Sequence, residues 1–190
     1  MDVNQMESPE LSTERLLIRR LRAEDAAAMY RYRSHPSVTR FQTWHPASVE
    51  QVRFFAGQME KQPFNAEDSW FQLAICLRRA PELIGDLGLH FLGPQNQQVE
   101  IAYTVSPMYR RIGLAFEAAT CVVTHLFSEM NKHRVTASVA PDNEASIALL
   151  RKLGMRMEGR FKESVLQDGK WVDDVVFAVL RDEWAASHPR

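Results

Sequence analysis

The run from Gly113 to Met130 leaves fewer architectures open than any other part of the chain. Phe116, Ala119, Val123, Phe127 and Met130 recur at helical spacing, with Leu114, Ala118, Cys121, Val122 and Leu126 close beside them. A helix of that pattern is apolar nearly all round, so it has to be packed deep against a sheet. Alternating runs flank it: "QVEIAYTV", Gln98–Val105, before it and "HRVTASV", His133–Val139, after it. Strand, deep helix, strand is the centre of the fold, and the other elements are arranged around it.

Towards the N-terminus, "LSTERLLIRRLRAED" predicts a first strand ending near Leu21, and "AEDAAAMYRYR" predicts a helix over Ala23–Arg33, its Glu24 and Asp25 in the first turn where their charge suits the helix dipole. "HPASVEQVRFFAGQMEK" predicts a second helix, with Ser48 as cap, Gln51 three residues later and a stripe of Val52, Phe55 and Met59. A long loop, "SHPSVTRFQTWHP", joins the two. "WFQLAICL" and "ELIGDLGLHFL", parted by a charged turn at Arg78–Glu82, read as an antiparallel hairpin. Beyond the central unit, "DNEASIALLRKLG" is a helix capped by Asp142 or Asn143 and stopped by Gly154. The hairpin "FKESVLQ-DG-KWVDDVVFAVL" turns at Asp168-Gly169. The order β α α β β β α β α β β contains no repeat and no linker. It reads as one α/β (α+β) domain over 1–190, with a core from about 11 to 183.

Composition excludes several classes. A net charge of −1 gives no general reason to expect nucleic acid as a partner, so any anionic ligand has to be met locally. Cys76 and Cys121 sit in separate apolar runs and match no metal or disulfide spacing, which suits free thiols in a reducing compartment. "MDVNQMESPE" has no apolar centre of the kind a secretory leader needs, and no apolar run has the length of a membrane span. A cytoplasmic protein without metal is expected.

The passage "SPMYRRIGLAFEAA" between the central strand and its helix carries a chemical signal. A strand that runs within a few residues into a helix presents the helix's free N–H groups at the crossing, a site suited to an anion. Gly113 and the small Ala115 would let a pyrophosphate approach the backbone, and Arg110 and Arg111 would add charge. The same residues also suit an ordinary exposed helix start, and the short pattern R-x-x-G-x-A does not choose between the two. The glycine-rich signatures of dinucleotide-binding and P-loop proteins are absent.

The series "LSTERLLIRRLRAEDAAAMY", "VEIAYTVSPMYRRIGLAFEA", "NEASIALLRKLGMRMEG" and "DGKWVDDVVFAVLRDEW" resembles, over nearly the whole chain, the GNAT superfamily of acetyl-CoA-dependent N-acetyltransferases, and within it the RimJ/RimL branch. The resemblance implies a GNAT fold: a mixed, strongly bent central sheet with helices on both faces, splayed between Gln98–Val105 and Arg134–Val139. It implies that pantetheine bonds to the backbone around Thr104 and Val105. The phosphates would meet the loop and helix start formed by Arg110, Arg111, Ile112, Gly113, Leu114, Ala115 and Phe116. Many members use a tyrosine seven residues after the helix-start asparagine as the acid for the leaving thiolate, and that position here is Leu150. The branch places a serine three residues after the asparagine, which gives Ser146 the thiolate and Asn143 the pantetheine amides.

A primary ammonium near neutral pH must lose a proton before it can attack a thioester, and Glu100, on the central strand, is the candidate base. His90 is its rival, ahead of Glu158 and Glu163. Backbone N–H groups of the splayed strand would meet the oxyanion. The resemblance walls the acceptor with the first two helices and the loop between them, so Arg40, Phe41, Trp44 and His45 are possible lining, with Trp44 and His45 taken as the substrate contacts. Trp44 equally suits a cover for the core edge. Trp171 and Asp173 match the branch's G-x-W/Y-x-D pattern, as sheet edge, dimer contact or substrate contact, which leaves a homodimer open. Three functions follow: direct acetyl transfer to a protein or peptide α-amine; transfer to a small amine such as an aminoglycoside or polyamine, favoured by an acidic pocket of Glu60, Glu67, Asp68 and Glu100; or a non-catalytic acetyl-CoA sensor.

Overall fold

A computed structural model describes residues 8–188, so most of the acidic N-terminal stretch, and the expectation that it holds no leader, lies outside the described residues. The elements are β1 (Leu11–Ser12), β2 (Leu16–Arg20), α1 (Ala26–Arg33), α2 (Pro36–Thr39), α3 (Val49–Lys61), β3 (Ser69–Leu77), β4 (Leu83–Leu92), β5 (Gln98–Val105), α4 (Leu114–Ser128), β6 (Arg134–Val139), α5 (Glu144–Lys152), β7 (Arg156–Gln167), β8 (Lys170–Leu180) and α6 (Arg181–Ser187). The described strands form one sheet in the order β1-β2-β3-β4-β5-β6-β8-β7. Every pairing is antiparallel except β5 with β6, which is parallel and stops after Gln98↔Arg134, Val99↔Val135 and Glu100↔Thr136. Past Glu100, β5 follows β4 as far as Val105↔Gly85, while β6 follows β8 as far as Val139↔Val175. Two antiparallel halves are thus joined at one end and open at the other.

Strand parity decides which helix packs where. Leu73, Ile75, Leu87, Leu89, Val99, Ile101, Val135 and Ala137 meet Leu114, Ala118, Val122 and Leu126 of α4 on one face. Ala74 and Cys76 point to the other face, under Ala26, Met29 and Tyr32 of α1 and Val52 and Ala56 of α3. Val122 and Leu126 are almost completely buried, and each such side chain contributes about 1.5–3 kcal/mol over an exposed one.

Local chemistry explains where the elements depart from the sequence pattern. The expected helix at Ala23 opens with a 3-10 turn, Ala23–Asp25, in which the Asp25 carboxylate both accepts the N-cap Arg22 N–H at 2.9 Å and grips Arg19 in two bonds of 2.7 and 2.8 Å. The loop before α3 contains one helical turn, α2, started by Pro36 and by His35 Nδ1 accepting the Ser37 N–H. The terminal hairpin turns as expected at Asp168 and Gly169, both at positive φ. Its first strand, however, begins at Arg156, earlier than Phe161: as the edge of the sheet it is exposed and carries little apolar alternation. After β8 the chain enters α6, where the Glu183 carboxylate accepts the Leu180 N–H and buried Trp184 packs on Phe127.

Candidate active site

The open end of the sheet exposes backbone. Ser106 N–H bonds to Ile84 O at 2.8 Å, so by alternation the polar backbone of Tyr103 and Val105 points away from β4, into the gap. Thr104 lies opposite Asp86, with its backbone turned to β4 and its side chain buried; of the two expected backbone contacts, Val105 is the one that faces the gap.

Beyond β5 the chain makes a concave loop. Arg111 (φ 63°) and Gly113 (φ 84°) are both left-handed, and Gly113 is the N-cap of α4 with no side chain capping the helix. The N–H groups of Leu114, Ala115 and Phe116 are the first-turn donors, and two left-handed residues just before them curve the backbone around the same point. The loop is held from outside by a residue the sequence reading did not single out. Arg15 donates to Ile112 O at 2.9 Å and pairs with Glu117 at 2.6 Å, while the Arg15 N–H bonds to the same carboxylate. Burial raises the Glu117 carboxyl, but the bonds from Thr13 and Arg15 outweigh it and hold it below its ordinary value. Arg110 turns its guanidinium to Val105 O and to Ser37 in α2, and burial lowers it. Arg111 and Ile112 are exposed on the loop.

On the α4 face, the Asn143 side chain caps α5 by accepting the Ser146 N–H at 3.3 Å. Ser146 Oγ lies 2.7 Å from the hydroxyl of Tyr103. Burial pushes that phenol up to about 12, against the pull of the Ser146 bond, so Tyr103 keeps its proton at neutral pH. Leu150, where a tyrosine acid would be sought, is buried in the core. A tyrosine does reach Ser146, but from β5, and its neighbourhood to Ser146 arises only when strand and helix are packed together.

On the other face, Glu100 lies 3.7 Å from His90 Nδ1, whose Nε2 is 3.4 Å from Asp68 and whose ring stacks on Trp70 with centroids 4.7 Å apart. Burial raises the Glu100 carboxyl; the charge and hydrogen bond of His90 lower it, and the charge of Asp174 raises it further. A cavity of about 260 Å³ runs through the gap and is lined by Glu100, Tyr103, Asn143 and Ser146, with Ser138 and Asp174 among the rest of its wall. It adjoins a wider cleft of about 590 Å³ between Arg40, Asp142 and the β7–β8 hairpin.

The outer wall is the strap from Ser34 to Pro46. It is tied to the core by Arg33, which pairs with fully buried Asp86 and bonds to Gln42 at 2.8 Å. Across the gap it is tied by Arg40 to Asp142 (2.7 Å) and by Gln167 to Arg40 O (2.9 Å). Phe41, Gln42 and Thr43 line the cavity. Trp44 and His45, expected as substrate contacts, stand behind that wall. Trp44 packs on Phe55 at 4.8 Å, and His45 bonds to the carbonyls of Thr39 and Gln42 and reaches Asp168. The expected acidic pocket is also composed differently: Glu60 accepts the Ala23 N–H at the start of the α1 segment, Asp68 reaches the site through His90, and Asp174 joins Glu100. The Asp173 carboxylate accepts the Glu163 N–H at the bulge of β7 and pairs with Arg160.

A split sheet whose gap leads from an uncapped helix start to the half-buried carboxylate of Glu100 frames the comparison with known proteins. The model of the acetyltransferase (GNAT) domain matches residues 15–156. The chain belongs to the GNAT acetyltransferase family. This GNAT enzyme is 31% identical over 175 residues to the N-acetyltransferase YnaD of Bacillus subtilis (strain 168), spanning 92% of this chain and 98% of that one. It is 26% identical to the [ribosomal protein uS5]-alanine N-acetyltransferase of Escherichia coli (strain K12), over 92% of each chain. Among solved structures, the GNAT-family acetyltransferase of Bacillus anthracis superposes with a TM-score of 0.80 at 29% identity, covering 92% of this chain and 99% of that one. The protein is therefore an N-acetyltransferase, of a family whose acetyl donor is acetyl-CoA. Among the described residues no helix is long and apolar enough to cross a membrane.

Proposed function

We propose that the enzyme moves an acetyl group from acetyl-CoA directly to the α-amine of a peptide or protein N-terminus, in a ternary complex assembled through the gap in the sheet. The observation that carries this reading is the one continuous cavity with Glu100 on one face of the sheet and Ser146 on the other. The amides of Arg111–Phe116 receive the donor's phosphates, Val105 and Asn143 its pantetheine arm. Glu100 takes one proton from the ammonium, and its raised carboxyl makes it a better base than an ordinary exposed glutamate. As the C–N bond forms and the C–S bond breaks, the nitrogen sheds a second proton and the thiolate takes up one; the net products are amide, thiol and one proton. Tyr103 and Ser146 share a hydrogen bond in which either oxygen can donate; when Tyr103 is the donor, the serine hydrogen is free to turn towards the departing sulfur. The wide cleft outside the cavity supports a bulky acceptor whose amine alone enters.

Thiol release measured over short peptides, aminoglycosides and polyamines tests the acceptor. Peptides should be turned over faster than small polycations, whose charge suits the cavity but which leave the wide outer cleft empty; the reverse ranking would replace this reading with small-amine acetylation. Glu100→Gln should lower kcat/KM by about 100-fold or more, as loss of a general base does. In the parent enzyme kcat/KM should fall as pH falls through the Glu100 pKa, above the usual carboxylate value of 4.5, because only the ionised form accepts a proton.

A further inference from the structure

The cavity has an uneven charge. Three carboxylates line it, Glu100, Asp173 and Asp174, and none of the lining side chains is a lysine, arginine or histidine. Asp173 is neutralised from outside by Arg160, and Glu100 has His90 beside it. Asp174 is 9% exposed and has no ion-pair partner among the described residues; Ser138 Oγ donates to its Oδ2 at 2.8 Å. The sheet register puts it on the same face as Glu100. Glu100 is opposite Thr136 on β6, Ser138 is two residues on from Thr136, and Ser138 is opposite Val176 on β8, two residues from Asp174. Alternation turns all of these side chains to one side.

A buried carboxylate is retained when a cation meets it, because the charge costs too much to leave uncompensated in a protein interior. Here the protein supplies a hydroxyl to aim the group and leaves its counter-charge to come from elsewhere. We propose that Asp174 is the ammonium-holding residue of the acceptor pocket, and that the pocket takes primary amines as cations and turns away those with a carboxylate next to the amine. This rests on the acetyl-transfer reading given above. Held between Asp174 and Glu100, the ammonium gives its proton to Glu100 and stays anchored by Asp174. A peptide α-amine, whose carboxyl is tied up as an amide, fits; a free amino acid brings an anion against two carboxylates.

The test uses the intact enzyme, with thiol release for kinetics and calorimetry for acetyl-CoA binding. Asp174→Asn keeps the shape and removes the charge. It should raise the acceptor KM about ten-fold or more, as removing one partner of a buried charge contact does, with acetyl-CoA affinity unchanged. The acid limb of kcat/KM should also move to lower pH. Glu100 is faced by His90 from β4 and by Asp174 from β8, with Asp68 behind His90, so deleting the Asp174 charge lets Glu100 ionise more easily. A residue that merely braced the sheet would not move that limb. Peptide amides should be preferred over the free amino acid of their first residue, and the preference should shrink in Asp174→Asn. Should Asp174→Asn fail to bind acetyl-CoA, Ser138→Ala, which only frees Asp174 from its aim, carries the test, with a smaller rise in acceptor KM. An unchanged acceptor KM and acid limb, or equal use of free amino acids, would overturn the proposal. Failure of the underlying reading is separate: no amine would release thiol, or Glu100→Gln would keep the parent rate.

Discussion

The donor half and the acceptor half of the site are built by different means. The donor half is mostly backbone from one continuous stretch: the unpaired end of β5, two left-handed residues and the uncapped start of α4. The acceptor half is held by side chains far apart in sequence: Arg33 with Asp86, Arg40 with Asp142, and Gln167 with the Arg40 carbonyl. The difference follows from what each half must do. A constant donor can be read by the shape of a backbone, whereas an acceptor pocket made from a strap and its ties can be changed without touching the donor site.

The largest predicted effect breaks the acceptor half at its root. Asp86 is completely buried and receives Tyr32, Arg33 and Gln72; Asp86→Ala would leave the Arg33 guanidinium buried without a counter-charge. The expected loss is about 3–5 kcal/mol of stability, read from urea unfolding. Such a protein, where still folded, should bind acetyl-CoA normally and lose acceptor affinity, because Arg33 also anchors Gln42 of the strap. Equal loss on both sides would mean that the two halves are not independent.

Gly113→Val acts on the donor half. At φ 84° a β-branched residue is strained, by about 1–3 kcal/mol, although a Cβ there would meet only the Arg15 guanidinium at 3.4 Å. The strain should be relieved by opening the loop, which disperses the amides. Acetyl-CoA binding, measured by calorimetry, should weaken about ten-fold or more, with the acceptor KM little changed. Unchanged affinity would reduce the loop to an ordinary helix start.

The same contrast explains what could be read from sequence. The strands and the deep helix were legible because parity and helical period are local signals, and Phe116, Val123 and Phe127 alone demand a buried helix; the side on which α1 and α3 pack came only with the assembled sheet. The loop at Gly113 was legible because a glycine between a strand and a helix has a backbone meaning. Tyr103 could be placed on a face of β5, but its meeting with Ser146 depends on how α5 lies against the gap. Arg15 and Glu117 sit 102 residues apart, and no periodicity links them. Asp174 belongs to no motif in the sequence, and only the register through β6 sets it on the face of Glu100. Trp44 stayed open in the sequence between substrate contact and cover for the core edge, because an aromatic residue in a loop near a pocket suits either, and the choice depends on Phe55 and Arg33.

The smallest predicted effect tests whether the strap's outer tie matters for the acceptor alone. Arg40 and Asp142 are both largely exposed, and a pair of that kind contributes about 0–1 kcal/mol, so Arg40→Ala should barely change unfolding. Yet Arg40 also lies over the Phe41 ring at 4.8 Å, and Phe41 lines the cavity. Gln167 still holds the backbone carbonyl at residue 40 in the variant, so the strap stays in place and only the seating of Phe41 loosens. The acceptor KM should rise about three-fold, in keeping with the energy of an exposed pair, and acetyl-CoA affinity should not move. Added salt screens exposed charges, so it should raise the parent's acceptor KM towards that of Arg40→Ala and do little to the variant. Parallel salt responses in the two proteins would remove the pair from acceptor recognition and leave Gln167 as the tie that closes the strap.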